Sequence, residues 1–418
     1  MKLGDDFSAA AGPSRLICDV TQSWSEVGGG VGTYLRHKRD HILERTPHRH
    51  LMILPGPRDE VIAEGRATTV RIASPKVPGS PNYRLLLRNG AVRAALARFD
   101  PDIIECQDAY NLPWAALAHR RSHPHAALVA GYFTDFPTVY VERPFSRGLG
   151  QTLGHAAGRV CYAYCGNLYR RFDAVFGLSE NGGVARLRAL GVEDVQVLPL
   201  GVDLDGFGPE RRDLDLRRSL GVADDAPLLI YAGRLDGEKK PDVVVDAFQR
   251  LPKKLGARLV LLGCGPLRDK FEALGDPRIV TPGFVTDRSE LARWLASADL
   301  YVSAMADETF GVSIIEAQAS GLPVVGVAAG AMLDRVDAVT GRLGPVGDGA
   351  AMAANILAVW RGDHRAMGEA GRRHVHREFS WDHSMDVLFR TIYPQALARR
   401  GIPAVQPAAK RTKPLVEA

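Results

Sequence analysis

The stretch Ala298–Gly326, ADLYVSAMADETFGVSIIEAQASGLPVVG, decides the fold. It opens with the short apolar run DLYVSA, breaks into the polar loop MADETFG, continues as the amphipathic segment Val312–Ser320 and closes on a second apolar run, LPVVG, which continues into Val327. Apolar, β-branched runs flanking a helix-period segment read as a strand–helix–strand unit with parallel strands. Apolar runs without polar alternation belong to a sheet covered on both faces.

The pattern extends in both directions. Within the second half APLLIYAG, RLVLLG and RIVTPG are further strands, with helices over Pro241–Leu251, Pro266–Leu274 and Ser289–Ser297. In the first half the strands are RLICDV, HLMIL, TTVRIA, DIIEC, ALVAGY, AVFGL and VQVLPL, with helices over Val31–Arg45, Tyr83–Phe99 and Leu112–Arg120. Two such sets in 418 residues exceed one ordinary core and predict an α/β protein of two doubly wound, Rossmann-like domains facing across a cleft. The expected division is a first domain over residues 15–200, a linker over 201–225, a second domain over 226–378 and a closing amphipathic helix over 379–402. The linker, GVDLDGFGPERRDLDLRRSLGVADD, is rich in Gly, Asp and Arg and interrupts the strand rhythm. Residues 1–14 and 403–418 read as disordered ends.

Composition narrows the class. Hydrophobic residues make up 46% and charged residues 24%, a globular balance. No run reaches the roughly 20 apolar residues of a membrane span, and the N-terminus MKLGDDFSAAAGPSRL lacks the apolar core of a signal peptide. These features point to the cytoplasm. The five cysteines (Cys18, Cys106, Cys161, Cys165, Cys264) are scattered, and no metal-ligand spacing completes the Cys161/Cys165 pair, so they read as reduced thiols. A net charge of +5 is concentrated in Arg36–His50 and Lys410–Lys413, neither interleaved with aromatics, which speaks against nucleic acid. An anionic substrate or an anionic lipid surface, such as the inner membrane face, fits better.

Ligands of open parallel sheets bind beyond the carboxyl ends of the strands, and the notable residues fall there. After LLIYAG comes GRLDGEKKPD, where Arg234 and Lys239 present two cations five residues apart. They read either as solvated loop charges or as a diphosphate site that stabilises charge on a leaving group. Glu308 and Glu316 lie eight apart around Phe310-Gly311, which opens a helix. Free N–H groups and the positive dipole end at Gly311, Val312 and Ser313 suit a phosphate or sugar oxygen. The two carboxylates suit vicinal hydroxyls, or else are a loop charge and a buried partner of an arginine. In the first half VGGGVGTYL places Gly29 and Gly30 at a helix start, an anion site or a tight turn, without dinucleotide-fingerprint spacing. The basic face Arg36, Lys38 and Arg39 that follows reads as a solvated helix surface or as a contact for an acidic acceptor or lipid.

Together GRLDGEK, GCGPL, GFVTD, the run Ala298–Gly326 and VQVLPLGVD resemble the retaining GT-B glycosyltransferases with a Glu-x7-Glu signature, over about Arg15–Arg400. The resemblance implies a nucleotide-sugar donor with its diphosphate on Arg234 and Lys239, a sugar hydroxyl on Glu308, and the ribose on Glu316. It implies phosphate and sugar contacts from Phe310 and the amides of Gly311–Ser313, and a base bordered by Gly263 and the Phe284-Val285 loop. Gly29 and Gly30 approach donor phosphates or acceptor. The final helix crosses back to the first domain. Such enzymes are thought to retain anomeric configuration by same-face substitution, the departing phosphate taking the acceptor proton. In YFTDF the family's common histidine position is Phe133, whereas Asp135 is kept as a candidate for orienting acceptor or donor sugar. Phe133 therefore implies an altered donor sugar or an impaired enzyme. The DLD strings at Asp203–Asp205 and Asp213–Asp215 mimic a metal motif but sit in the linker, so neither metal nor cofactor is expected. The acceptor implied is a lipid, glycan or small molecule. A silent sugar-nucleotide or glycan-binding protein and a sugar-nucleotide epimerase are the alternatives.

Overall fold

The structure, a computed structural model, describes residues 13–26, 29–78 and 80–403. Of the ends read as disordered, residues 1–12 and 404–418 lie outside the described residues, as does Gly28 of the glycine loop. The chain divides into unit 1 (Met1–Gly177, Arg186–Leu198 and Met385–Ala418) and unit 2 (Leu178–Ala185 and Pro199–Ser384).

Unit 1 is built on strands β1 Leu16–Val20, β2 Arg49–Gly56, β3 Glu60–Glu64, β4 Ala67–Ala73, β7 Ile103–Cys106, β8 Ala127–Tyr132, β9 Ala174–Gly177 and β10 Gln196–Val197, in the order β10-β9-β8-β7-β1-β2-β4-β3. A two-stranded ribbon, β5 Lys76–Val77 with β6 Ser80–Arg84, stands apart. The central strands are parallel and fully buried, so their apolar runs face helices on both sides. The edge strand β3 pairs antiparallel with β4 and is mostly exposed, which is why EVIAE has no strand-like apolar run. Two expectations are corrected here. Tyr83 and Arg84 end β6, and the helix begins only at Asn89 (Asn89–Phe99); of VQVLPL only Gln196–Val197 pairs as a strand.

The basic helix face is also corrected. The helix Gly30–Arg45 buries Tyr34, Leu35, Lys38 and Ile42, positions one turn apart on one face. Asp19 and Glu105 stand opposite each other in the β1–β7 register, and Lys38 Nζ meets them at 2.7 and 2.8 Å with all three side chains wholly buried. Two adjacent buried carboxylates repel, so a buried ammonium between them is an electrostatic requirement. Burial pushes the Asp19 carboxyl up, but Lys38 and His50, whose Nε2 lies 2.7 Å away, more than offset this and hold it below the usual aspartate value. Tyr34 and Tyr393 donate to Glu105 at 2.9 and 2.8 Å, the latter from the last helical segment, Tyr393–Ala398. Arg39 bonds His50, Thr69 and the Thr68 carbonyl. Lys38 and Arg39 are thus turned to internal partners, not a surface for an acidic one, whereas Arg36 stays exposed, over the Trp24 ring at 5.4 Å.

Unit 2 carries β11 Leu228–Ala232, β12 Arg258–Leu262, β13 Ile279–Gly283, β14 Leu300–Val302, β15 Val324–Val327 and β16 Gly341–Gly344, all parallel, in the order β13-β12-β11-β14-β15-β16. Leu229, Leu259, Leu261, Leu300 and Val325 pack with Val244 and Phe248 of the helix Pro241–Gln249 in its core. The segment 201–225 folds within this unit. Its helix Leu214–Ser219 is capped by Asp213, and Arg212 and Arg217 hold Asp299 at 2.7 and 2.8 Å. No helix among the described residues is long and apolar enough to cross a membrane.

Candidate active site

In unit 2 the chain runs outward through β11, β12 and β13, then returns to β14 beside β11 and continues the other way. The loops after β11 and β14 therefore diverge at a topological switch point, where open α/β sheets bind ligands. Arg234 and Lys239 lie in the first loop, Glu308 and Gly311 at the end of the second.

Backbone packing at these strand ends demands glycine. Gly263, at φ 148°, has its N–H on the Gly283 carbonyl at 2.9 Å, and a Cβ there would sit 1.9 Å from the Gly233 oxygen. A Cβ on Gly265 would sit 2.3 Å from the Leu235 oxygen. Side chains are thus excluded from the floor, leaving peptide groups there. Val285 beyond β13 is half-buried and its neighbour Phe284 is 66% exposed.

The charged side chains are held by specific partners. Asp236 Oδ1 accepts from the amides of Glu238 and Lys239 at 3.0 and 3.1 Å, folding the loop into an Asx turn before the helix Pro241–Gln249. Arg234 is paired with Asp236 at 2.7 Å and Glu238 at 2.8 Å, with its side chain 62% exposed. Lys239 Nζ lies 3.1 Å from Glu308 Oε2, while Glu308 Oε1 accepts from the Gly311 amide at 3.1 Å. Gly311, at φ 84°, is the left-handed cap of the helix Val312–Ala319, a conformation that favours glycine. The first N–H groups of that helix lack intrahelical partners, and Ser313 Oγ accepts from the Tyr301 hydroxyl at 2.8 Å. Lys239, Glu308 and Gly311 thus form one connected group, with Arg234 on the same loop as Lys239.

Glu316 lies apart from that group in its contacts. It is buried and takes Arg288 Nη2 at 2.6 Å; burial pushes its carboxyl above the usual range and Arg288 offsets this only in part. Phe310 turns its ring into the core, beneath Arg335 at 4.6 Å and against Phe379 at 6.1 Å, so only its backbone faces the loop. Sequence reasoning missed Asp236, Arg288 and Arg335. The Arg335 guanidinium holds the Phe310 and Leu178 carbonyls at 3.0 and 3.2 Å. Gly330 was missed as well: a Cβ there would lie 2.7 Å from the Glu308 carbonyl oxygen.

In unit 1, Gly29 caps the helix Gly30–Arg45 at φ 107°, and a Cβ would meet the Tyr83 hydroxyl at 3.1 Å, whereas Gly30 borders open space. The loop after β1 is pinned by Asp108, which accepts from Thr21 Oγ1 at 2.8 Å and the Gln22 amide at 2.6 Å. Asp135 is enclosed: Tyr132, Tyr162 (both at 2.8 Å) and Arg186 occupy its oxygens. Phe133 is buried between Tyr34 and Phe176, at 5.3 and 5.8 Å between ring centres. In the DLD strings Asp203 accepts from the Gly206 amide at 2.9 Å, and Asp213 caps its helix and pairs with Arg293 at 2.9 Å.

Comparison with known proteins gives the family. Residues 226–361 match the family described as Glycosyl transferases group 1, and residues 28–205 match Glycosyltransferase Family 4. A GDP-mannose-dependent alpha-mannosyltransferase of Mycobacterium tuberculosis is 31% identical over 79% of this chain and 84% of its own length. A GDP-mannose-dependent alpha-(1-6)-phosphatidylinositol dimannoside mannosyltransferase of the same species is 29% identical over 84% and 90%. A D-inositol 3-phosphate glycosyltransferase of Xylanimonas cellulosilytica is 36% identical over 53% of this chain, and the match spans only 56% of that relative. Among solved structures, sucrose-phosphate synthase of Thermosynechococcus elongatus superposes with a TM-score of 0.69 at 21% identity, over 91% of this chain and 99% of that one. Anabaena HepE in complex with UDP gives 0.68 at 18%, over 90% and 99%. At those identities the structures speak for the fold, and the mannosyltransferase relative speaks for the family: the chain belongs to the group 1, family 4 glycosyltransferases and has their GT-B fold of two Rossmann-like domains.

Proposed function

We propose that this glycosyltransferase moves a sugar from a nucleotide-diphosphate donor to a lipid, glycan or small-molecule acceptor, with retention of configuration and without a metal. The observation that carries this reading is the Lys239–Glu308–Gly311 group at the switch point of unit 2, with Arg234 on the same loop. In the proposed mechanism Lys239 and Arg234 take the diphosphate, aided by the amides of Gly311, Val312 and Ser313. Fixed cations and oriented dipoles stabilise the charge that builds on the leaving group as the glycosidic bond breaks. Glu308, released from Lys239, accepts from a sugar hydroxyl, and Glu316 serves the ribose. Gly263 and Val285 border the base through backbone groups. Holding the acceptor against the anomeric carbon supplies the remaining acceleration through orientation. With no side chain proposed as nucleophile, the departing phosphate oxygen takes the acceptor proton on the same face.

GDP-mannose is the first donor to test, because two of the relatives are named for it, and UDP-sugars come second. The names of two relatives, a phosphatidylinositol dimannoside mannosyltransferase and a D-inositol 3-phosphate glycosyltransferase, favour an anionic or lipid-linked acceptor, and peripheral contact at the inner membrane face belongs to the same proposal. The test is a thermal-shift screen of GDP, UDP and ADP and their sugars, followed by product analysis with and without inositol phosphate or phosphatidylinositol. A donor at 100 times its dissociation constant adds about 2.7 kcal/mol of stability, which singles out the base. If none of these nucleotides shifts the transition, the reading fails. Donor consumption that yields an epimer without acceptor would replace it.

A further inference from the structure

A second cluster of ligating side chains lies in unit 1 and includes none of the site residues named above. The helix Leu112–Ser122 ends with His119 in its last turn and His123 as its cap, four residues apart and hence on one face. Their rings stack at 4.0 Å, 11° from parallel. Asp100 caps the neighbouring helix Asn89–Phe99 in the left-handed conformation, at φ 47°. Its Oδ1 lies 3.8 Å from His119 Nε2, 3.8 Å from His123 Nε2 and 3.3 Å from His125 Nε2. One ligand atom each of Asp100, His119 and His123 falls within a 4.8 Å set.

Two further observations separate this cluster from an ordinary surface group. The His119 side chain is 2% exposed, and its Nε2 has no hydrogen-bond partner among the described residues. A buried polar atom left so is unfavourable, and 3.8 Å to Asp100 is too long to satisfy it. His123 Nδ1, in turn, faces Ser122 Oγ at 3.0 Å and the His119 carbonyl at 3.3 Å. A hydrogen bond from this nitrogen fixes the tautomer and leaves Nε2 free as a lone-pair donor, the arrangement found in histidine metal ligands.

We propose that Asp100, His119, His123 and His125 bind one divalent transition-metal ion, zinc by preference, as an accessory structural site. Three imidazoles and one carboxylate are the donor set such ions take, whereas magnesium and calcium select oxygen. With metal–ligand bonds of about 2.0–2.1 Å, neighbouring ligands of a tetrahedral ion stand about 3.3 Å apart. The observed 3.3–3.8 Å about Oδ1 is close to that spacing. The stacked planes of His119 and His123 share no common point, however, so binding requires the His119 ring to turn out of the stack about its Cβ–Cγ bond and His125 to draw in. Both helices end here, and their negative dipole ends favour a cation. Asp100 and His125 are 48% and 44% exposed, which gives the ion a way in. The bound ion would clip the ends of two helices together.

The test uses the untagged full chain, stripped with chelator and titrated calorimetrically with zinc sulfate and, in parallel, with cobalt chloride read by visible absorption. The expected result is one equivalent bound with a dissociation constant of about 10 µM or below, cobalt d–d bands, and no response to magnesium. Asp100→Asn tolerates the left-handed backbone and His123→Gln is partly exposed, so both fold; each should weaken zinc by about tenfold or more. No saturable uptake of either ion overturns the proposal. So does uptake unchanged in the double variant.

Discussion

Lys239→Met removes one charge and keeps most of the side chain's apolar stem, so it separates the proposed donor role from a structural one. In the free protein Lys239 and Glu308 are 3.1 Å apart with side chains 25% and 16% exposed. A partly exposed pair of this kind contributes up to about 1 kcal/mol to stability, equivalent to about 2–4 °C in melting temperature for a unit of this size. A cation aimed at charge that develops during reaction contributes more, about 3–4 kcal/mol by comparison with a single oxyanion-stabilising group. That corresponds to a fall of about 10²–10³-fold in kcat/KM. The effect should fall mainly on kcat, because charge on the diphosphate grows as the bond breaks. The assay is initial-rate release of nucleoside diphosphate over a donor series, alongside a melting curve for each variant. Glu308→Gln, which keeps an acceptor for the Gly311 amide, should lose about 10–10²-fold through a weakened hydroxyl contact. A Lys239→Met enzyme within about threefold of the parent in kcat/KM would remove Lys239 from the donor site. A melting temperature lowered by more than about 10 °C would make its role structural.

Gly263→Ala should lower both donor affinity and melting temperature, at a cost of about 2 kcal/mol or more, because its Cβ would stand 1.9 Å from the Gly233 oxygen. Normal donor binding by a stable variant would contradict that packing. Lys38→Met strands Asp19 and Glu105 as buried like charges and should cost about 3–5 kcal/mol; adding Glu105→Gln should restore part of it, and denaturant unfolding reads both. Stability should also fall on acidification. Burial holds His50 below its unfolded value of 6.5, so below pH 6.5 the unfolded chain takes up a proton that the native one refuses, at about 1.4 kcal/mol per pH unit. A further decline begins below the unfolded aspartate value of 3.8, as Asp19 protonates through its depressed native value; a flat melting temperature between pH 7 and 5 would refute the first step. Finally, transfer should continue unchanged in excess EDTA over the minutes of an assay, and activity lost there and recovered with magnesium would overturn the metal-free mechanism.

What was legible in the sequence follows from where the determinants lie along the chain. Arg234, Lys239, Glu308 and Gly311 all lie in the two loops that follow β11 and β14, so local pattern and the rule of strand ends sufficed to group them. Asp236 fell between the two cations and went unread, because an Asx turn announces itself only through the amides it binds. Lys38 was misjudged for the opposite reason. A run such as RHKRD looks solvated, and nothing near it reveals that Asp19 and Glu105 occupy facing positions on two strands. Strands β3 and β16 lack apolar runs, one because it is an exposed edge and the other because GRLG has little side chain to bury. Asp100, His119, His123 and His125 come from two helix ends, and their meeting depends on how those helices pack.

The hydrogen bond from Tyr393 to Glu105 has a consequence for biosynthesis. A chain leaving the ribosome presents β1, Lys38 and β7 early, yet the group that completes their charged core arrives only with the last helix. Most of unit 2, by contrast, is contiguous from Pro199 to Ser384 and can consolidate while unit 1 still waits. The half begun first is therefore the half finished last. Until then its two carboxylates rest on Lys38, Tyr34, His50 and Gln107 without the final hydroxyl.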